Sequence, residues 1–375
     1  MLRQLATLSC KLWLVLIVVS ASADGAWAES LYSIADLGTL SGFTASYAYG
    51  INDAGQVVGY VQTSSGASQA FLYSSNSMTG LGTLPNNGPS SYAYGINNSG
   101  QIVGSSGANY AVQPQQAFLY ANGSMTPLPL PPGTLTGTSS VATGINSSGQ
   151  AVGYLAFKTG VTDAFLYAGG IMKDLGTLGG TAAVANGINN SGQIAGTYSG
   201  QANQAFLDTN GSVSSLGGSN SSATGINNRG EVVGYYTTSS DYFHAFLYDG
   251  TKTSDLGTLG GTDSNYFADG INDSGQVVGY STIGSTSEAF LYTDDTMMNL
   301  NSLIPTGLGW NLEVAAAINK NGQIVGWGFN ANGQEHGFLL TPSASVVPEP
   351  SALVSLLGLG IAGMIGLWRR KRRAA

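Results

Sequence analysis

Charged residues and cysteine are scarce in this chain. Only 9% of its 375 residues are Asp, Glu, Lys or Arg, against roughly 25% in an average soluble protein. The single cysteine, Cys10, lies in an apolar N-terminal segment, so the rest of the sequence has no disulfide, thiol nucleophile or cysteine ligand for zinc. The two histidines, His244 and His336, share one register in two repeats and have no third ligand of matching type. The sequence therefore predicts no metal site and no cofactor.

Basic residues are almost missing between the two ends. Residues 29–347 contain five Lys or Arg and 18 Asp or Glu, a net charge of −13. Such a surface repels the phosphates of DNA and RNA, which excludes nucleic acid as a partner.

Glycine and apolar residues are abundant instead. The chain contains 55 glycines, and 43% of its residues are apolar. Glycine suits tight turns, and the apolar fraction is large enough to form a core. This composition is typical of short strands joined by turns.

The N-terminal residues 1–28 have the pattern of a secretory signal peptide. Arg3 and Lys11 give a positive start, and residues 12–19 are continuously apolar. Ala26 and Ala28 supply the small side chains that signal peptidase reads before its cleavage site. The sequence therefore predicts export, with an uncleaved membrane anchor as the alternative.

The C-terminal residues 348–375 have the pattern of a second targeting signal, which a linker at 344–347 separates from residues 29–343. Pro348, Glu349 and Pro350 precede an apolar run, residues 352–368, which is long enough to cross a bilayer as a helix at about 1.5 Å per residue. The run ends in a basic cluster that would stay cytoplasmic: Arg369, Arg370, Lys371, Arg372 and Arg373.

These three parts, in this order, resemble the PEP-CTERM sorting signal of Gram-negative bacteria. The resemblance implies transient anchoring in the inner membrane, recognition by an exosortase, and delivery to the cell surface or the extracellular matrix. A permanent C-terminal anchor is the alternative.

Between the two targeting signals the chain repeats one motif seven times. Its marker is Gly-Ile-Asn or, in the last copy, Ala-Ile-Asn, followed by an Asn-x-x-Gly turn, and the isoleucines lie 38 to 49 residues apart: Ile51, Ile96, Ile145, Ile188, Ile226, Ile271 and Ile318. Each unit reads as four short strands joined by turns. Four strands per unit of this length predict an all-β, seven-bladed β-propeller over residues 29–343, with a parallel β-helix as second choice.

The last repeat stops before its fourth strand, and residues 32–38 supply a matching strand at the front of the body. We therefore predict that the N-terminal strand closes the ring by completing the last blade. The Gly-Ile-Asn strand is then innermost, and we expect its small residues to face a crowded axis: Ala48, Ala93, Ala142, Ala185, Ala223 and Ala268.

The repeats resemble the HAF repeat of predicted extracellular proteins. His244-Ala245-Phe246 matches the tripeptide that names the repeat, and Asp-Leu-Gly-Thr-Leu-Gly-Gly segments match the rest. The resemblance covers about residues 31–341 and implies an exported repeat protein without a defined activity.

Two groups of residues are candidates for a site. Asp263, Asp269 and Glu313 break the repeat pattern near an inner strand, where they could act as catalytic or ion-binding groups. Aromatic residues before Gly-Ile-Asn could stack on sugar rings: Tyr47, Tyr49, Tyr92, Tyr94 and Tyr266. Packing between blades is the alternative role for these aromatic residues. We interpret the protein as a non-enzymatic binding or scaffold module of the cell surface or matrix, with extracellular polysaccharide as a candidate partner. A polysaccharide hydrolase or lyase is the alternative.

Overall fold

The computed structural model describes residues 31–107, 114–218, 220–259, 265–283 and 286–343. The predicted signal peptide, the linker, the C-terminal sorting signal with its helix, and Asp263 lie outside the described residues. Within the described ranges, no helix is long and apolar enough to cross a membrane.

The described chain forms seven four-stranded antiparallel sheets, which are the seven blades of a β-propeller. Blade 1 contains β2 (Ala45–Ile51), β3 (Val57–Gln62), β4 (Ser68–Ser74) and β5 (Ser77–Gly82). Blade 2 contains β6 (Ser91–Ile96), β7 (Ile102–Ser106), β8 (Gln116–Ala121) and β9 (Ser124–Pro127). Blade 3 contains β10 (Ser139–Ile145), β11 (Ala151–Ala156), β12 (Thr162–Ala168) and β13 (Ile171–Gly176). Blade 4 contains β14 (Ala182–Ile188), β15 (Ile194–Ser199), β16 (Asn203–Thr209) and β17 (Ser212–Ser215).

The remaining blades follow the same order, and a short 3-10 helix, Leu300–Ser302, leads from the sixth to the seventh. Blade 5 contains β18 (Ser221–Ile226), β19 (Val232–Thr237), β20 (Phe243–Tyr248) and β21 (Thr253–Asp255). Blade 6 contains β22 (Asn265–Ile271), β23 (Val277–Ile283), β24 (Thr286–Thr293) and β25 (Thr296–Asn299). Blade 7 contains β26 (Asn311–Ile318), β27 (Ile324–Phe329), β28 (Glu335–Pro342) and, from the other end of the chain, β1 (Tyr32–Asp36).

The ring is closed as the repeat pattern predicts. Strand β1 pairs with β28 along its whole length, from Tyr32 opposite Pro342 to Asp36 opposite Phe338. The first strand of every blade contacts the first strands of both neighbouring blades, including β26 with β2. The Gly-Ile-Asn strand is therefore innermost, and the prediction of a seven-bladed ring is confirmed.

Every inner strand carries a β-bulge just before Gly-Ile-Asn. In blade 1 the register shifts between Ala48 and Gly50, which leaves Tyr49 as the extra residue. The bulge brings the inner strand so close to its neighbour that a Cβ on Gly59 would lie 1.9 Å from the Tyr47 carbonyl oxygen. This contact explains the glycine in each Val-Gly or Ala-Gly pair of the second strand, because no side chain fits there.

The core lies between the blades and not at the axis. The phenylalanine of each third strand is fully buried, and Phe71, for example, packs with Ala48, Leu37 and Val325. The prediction that the small inner-strand residues face a crowded axis is wrong, since these alanines are fully buried in the clusters between blades. Side chains of a strand alternate between its two faces. The residue after each of these alanines therefore points toward the axis, which is open.

Candidate functional site

One end of the axis is framed by a ring of asparagines. Each side-chain amide donates to the main-chain carbonyl of the next asparagine around the ring at 3.0 to 3.1 Å, and Asn319 closes the circle onto Asn52. The members are Asn52, Asn97, Asn146, Asn189, Asn227, Asn272 and Asn319. This asparagine ring narrows the axis to a space of about 250 Å³.

The residue after each asparagine forms the rim of this narrow end. Asp53 accepts from the Asn98 amide at 2.6 Å and pairs with Lys320 at 3.1 Å, and Asp273 accepts from Asn228. Burial alone would raise the pKa of Asp53, but the hydrogen bonds from Lys320 and Asn98 outweigh it and lower the pKa. Both aspartates therefore join neighbouring blades.

The other end of the axis opens into a cavity of about 910 Å³. All seven bulged residues of the inner strands line it: Tyr49, Tyr94, Thr143, Asn186, Thr224, Asp269 and Ala316. This axial cavity is the candidate site, because it combines concave shape with apolar walls and a few polar groups.

Aromatic rings form two walls of the axial cavity. On one side the Tyr49 ring lies 5.1 Å from Trp327 and 5.6 Å from Tyr94. On the other side Tyr235 and Tyr280 are both packed on Phe267, each with ring centroids 4.9 Å away. Small and polar residues of blades 3 and 4 complete the lining, among them Thr143, Ala182, Ala183, Asn186 and Thr197.

Several of these aromatic residues were missed by the sequence prediction. Trp327, Tyr235, Tyr280 and Tyr154 each follow the invariably placed glycine of a second strand and line the cavity. In each of these blades the aromatic residue pairs with the inner-strand residue that immediately precedes the buried alanine. The signal was the position after Val-Gly in each repeat, which is aromatic in five of the seven copies.

The five predicted carbohydrate contacts fall into three groups. Tyr49 and Tyr94 line the axial cavity. Tyr47 and Tyr92 are half-buried behind them, where Tyr47 donates to Glu335 at 2.7 Å and Tyr92 packs on Tyr60. Tyr266 is fully buried, and its hydroxyl accepts a hydrogen bond from the Leu259 amide. Its ring is therefore not accessible to a carbohydrate in the cavity.

Among the described residues that line the axial cavity, Asp269 is the only carboxylate. Its burial raises its pKa to about 8. Glu313 lies in a second bulge of β26, outside this lining, and burial and the charge of Glu335 raise its pKa. The predicted acidic group is therefore not assembled in the cavity by the described residues.

A side cleft of about 410 Å³ lies between blades 4 and 5. It shares Thr197, Asn203, Ser222 and Tyr235 with the axial cavity. The side cleft therefore lies directly beside the axial cavity, and the same residues border both spaces.

Both histidines belong to cross-strand pairs at the outer part of a blade. His336 lies 2.8 Å from Asp36, and His244 lies 2.6 Å from Asp255. Burial would raise the pKa of Asp36, but hydrogen bonds from His336, Gly38 and Asn330 outweigh it and lower the pKa. Because Asp36 lies in β1, this pair holds the closing strand of the ring.

Two segments of the chain match known families. Residues 346–373 match the PEP-CTERM protein-sorting motif, and residues 16–130 match a protein of unknown function, DUF3466. The sorting motif indicates export through the membrane to the cell surface. No curated protein matches the chain significantly.

Solved structures confirm the class of fold. The β-propeller domain of the Trilobed protease from Pyrococcus furiosus matches with a TM-score of 0.52 at 11% identity, over 80% of this chain and 94% of that domain. A puromycin-hydrolysing peptidase from Mycobacterium tuberculosis matches with a TM-score of 0.51 at 12% identity, over 82% of this chain and 56% of the peptidase. This chain thus corresponds to little more than half of that peptidase. The protein is a closed propeller with a C-terminal sorting motif.

Proposed function

We propose that this protein is a surface or matrix component whose axial cavity binds polysaccharide without cleaving it. The observation that carries the proposal is the cavity itself, which has aromatic walls and a lining of hydroxyl and amide groups. Aromatic faces stack on the apolar faces of sugar rings, and neutral polar groups donate and accept the hydrogen bonds of sugar hydroxyls.

The number of carboxylates supports binding over hydrolysis. Glycoside hydrolases of the common kind need two carboxyl groups on opposite sides of the scissile bond. The described lining provides one, Asp269. A hydrolase or lyase remains the second candidate, because the raised pKa of Asp269 suits a general acid.

The two ends of the chain support a route to the extracellular matrix. We propose that signal peptidase cuts after Ala28 and that an exosortase in a Gram-negative inner membrane then processes the sorting signal. The likeness of the repeats to the HAF repeat of predicted extracellular proteins and the net negative charge of residues 29–347 support a place in a biofilm matrix.

The binding proposal is tested with residues 29–343, the complete ring, and with cell-surface polysaccharide from the source organism. Co-sedimentation without release of reducing ends is the expected result, whereas accumulating reducing ends would establish the enzyme instead. Tyr49→Ala and Trp327→Ala should each weaken binding. Tyr248→Ala, in the third strand of blade 5 and outside the lining of the cavity, is the matched control.

The export proposal is tested in cells. Replacing Pro348, Glu349 and Pro350 together by alanine should leave the protein in the inner-membrane fraction, because the processing site is lost. The control replaces the nearby Ser343 alone. Normal release of the triple variant would contradict the role of the motif.

A further inference from the structure

Asp269 differs from the six residues at its own level of the ring. The other bulged residues are two tyrosines, two threonines, an asparagine and an alanine, all neutral at pH 7. Asp269 alone places a carboxyl group there, deep in the cavity and only partly exposed. Its uniqueness marks it as a feature of the site and not of the repeat.

The carboxyl group of Asp269 has no partner in the described part of the chain. Neither a hydrogen bond nor an ion pair joins its side chain to another described residue, and the described lining contains no Lys, Arg or His. A buried carboxylate without a counter-ion is unfavourable. The carboxyl group must therefore either keep its proton or pair with a cation that enters from outside.

The walls around Asp269 also favour a cation. Burial raises the pKa of Tyr280 in the adjacent strand β23 and of Tyr49 two blades away, and the charge of Asp269 raises both further, that of Tyr280 to about 12. These phenols therefore remain neutral and present aromatic faces. Aromatic faces attract ammonium groups, most strongly where water is excluded.

We propose that the axial cavity recognises an amino sugar polymer with free cationic amines, and that Asp269 is the counter-ion of one ammonium group. The inference rests on the proposed function and names its ligand class. A sugar fits better than a lysine side chain, because the cavity has a volume of about 910 Å³ and borders a cleft lined by Asn203, Asn220 and Ser222. Their amide and hydroxyl groups can form hydrogen bonds with the hydroxyl groups along a sugar chain.

The affinity for a cation should depend on pH. In the empty cavity the pKa of Asp269 is about 8, so the group is mostly neutral at pH 6 and binding a cation releases a proton. The strands packed against β22 also carry Tyr235 and Tyr236 on β19, His244 and Tyr248 on β20, Tyr280 on β23 and Glu313 on β26. Glu313→Gln is therefore the matched control for Asp269→Asn.

The test is calorimetric titration of the ring with three oligosaccharides of equal length. They consist of glucose, N-acetylglucosamine, or glucosamine with trimethylated amines, whose charge does not change with pH. At pH 8 the cationic oligosaccharide should bind at least about ten-fold more tightly than the acetylated one. Its affinity should rise about ten-fold or more from pH 6 to pH 8 with proton release. Asp269→Asn should abolish both differences, and Glu313→Gln should abolish neither.

The outcomes separate this inference from the proposed function. Equal binding of all three oligosaccharides, unaffected by Asp269→Asn, would overturn the cationic ligand and leave the carbohydrate function in place. No binding of any oligosaccharide would overturn both. Trilysine binding as tightly as the cationic oligosaccharide would overturn the sugar as ligand class.

Discussion

At the scale of single residues, the asparagine ring is the most repeated interaction of the molecule. The Asn189 amide donates to the Asn227 carbonyl and to Gln193, and its Oδ1 accepts the main-chain amides of Ser191 and Gln193. One side chain therefore shapes its own turn and also joins it to the next blade. This double use explains why the residue is Asn in all seven repeats.

Asn189→Ala should destabilise the ring by about 1–3 kcal/mol, because buried polar groups lose their partners. Thermal or urea unfolding measures the effect. Ser191→Ala in the same turn is the control. The Ser191 side chain is exposed and forms no hydrogen bond with the described residues, so its loss should change stability by less than about 0.5 kcal/mol. Equal melting of both variants would show that the ring of amides adds no stability.

Asp269 lowers the stability of the ring as pH rises. Its folded pKa, about 8, lies above the unfolded value of about 3.9, so the folded state binds more protons between these limits. Stability is complete below pH 4 and is lost progressively up to pH 8, with a slope of at most about 1.4 kcal/mol per pH unit. Asp269→Asn should therefore melt like wild type at pH 4 and at a higher temperature at pH 8. A constant difference across pH would contradict the raised pKa.

Residue-scale features were the hardest to predict from sequence. Tyr266 lies two residues before the buried Ala268, and alternation along a strand places both on the face that packs between blades. Tyr49 and Tyr94 directly follow such alanines, so the same alternation places them in the lining of the axial cavity. The cavity aromatics of the second strand recur after its glycine, but only the register against the inner strand shows that they line the cavity.

At the scale of elements, the third and fourth strands of a blade share one recurring pair. In blade 5 His244 contacts Asp255, whose other oxygen accepts the Gly257 amide. Blade 3 has Asp163 where His244 stands, facing Asp174. Burial and the charge of Asp174 raise the pKa of Asp163, and its Oδ1 has no hydrogen-bond partner. Blade 3 thus has two carboxyl groups at the position where blade 5 has a histidine–aspartate pair.

Asp163→His should stabilise the protein by about 1 kcal/mol near pH 6, since it replaces repulsion by a hydrogen bond to Asp174. Thermal unfolding from pH 5 to pH 8 measures the effect. Asp163→Asn removes the charge without adding the imidazole and separates the two contributions. A destabilised Asp163→His variant would mean that blade 3 cannot adopt the geometry of blade 5.

The strands themselves were predictable because each repeat marks its turns. Asn-x-x-Gly after Ile51, for example, forms the expected turn, with the Gly55 amide donating to the Asn52 carbonyl. The bulge before that turn was not predictable. A bulge depends on how the inner strand pairs with the second strand, and that pairing register cannot be read from a single sequence.

At the scale of the whole molecule, ring closure was predictable because the last repeat lacks a strand that the front of the body supplies. Leu37, just after β1, packs with Phe71 and Val325 in the cluster between blades 7 and 1. The closing strand therefore joins both the sheet of blade 7 and the core beside it. The identity of a ligand had no comparable signal, since it depends on the combined surface of seven inner strands.

Deleting residues 29–40 should lower the melting temperature strongly, because β28 becomes an unpaired edge and the Asp36–His336 pair is lost. Joining the same residues after Ser343 through a short Gly-Asn turn should restore stability, since the strand can then pair as a hairpin. Unchanged melting after the deletion, measured by calorimetry, would contradict closure by β1.

The position of Leu31 and Ser343 in one blade determines how the ring responds to mechanical force. They lie at the same end of the β1–β28 ladder, where the Ser343 amide donates to the Leu31 carbonyl at 2.9 Å. A pull between them would open the ladder one bond after another, like a zipper, instead of shearing all bonds together. A chain held only by its C-terminal end carries tension through β28 and leaves β1 slack. The ladder is therefore unzipped only by a force that holds both Leu31 and Ser343.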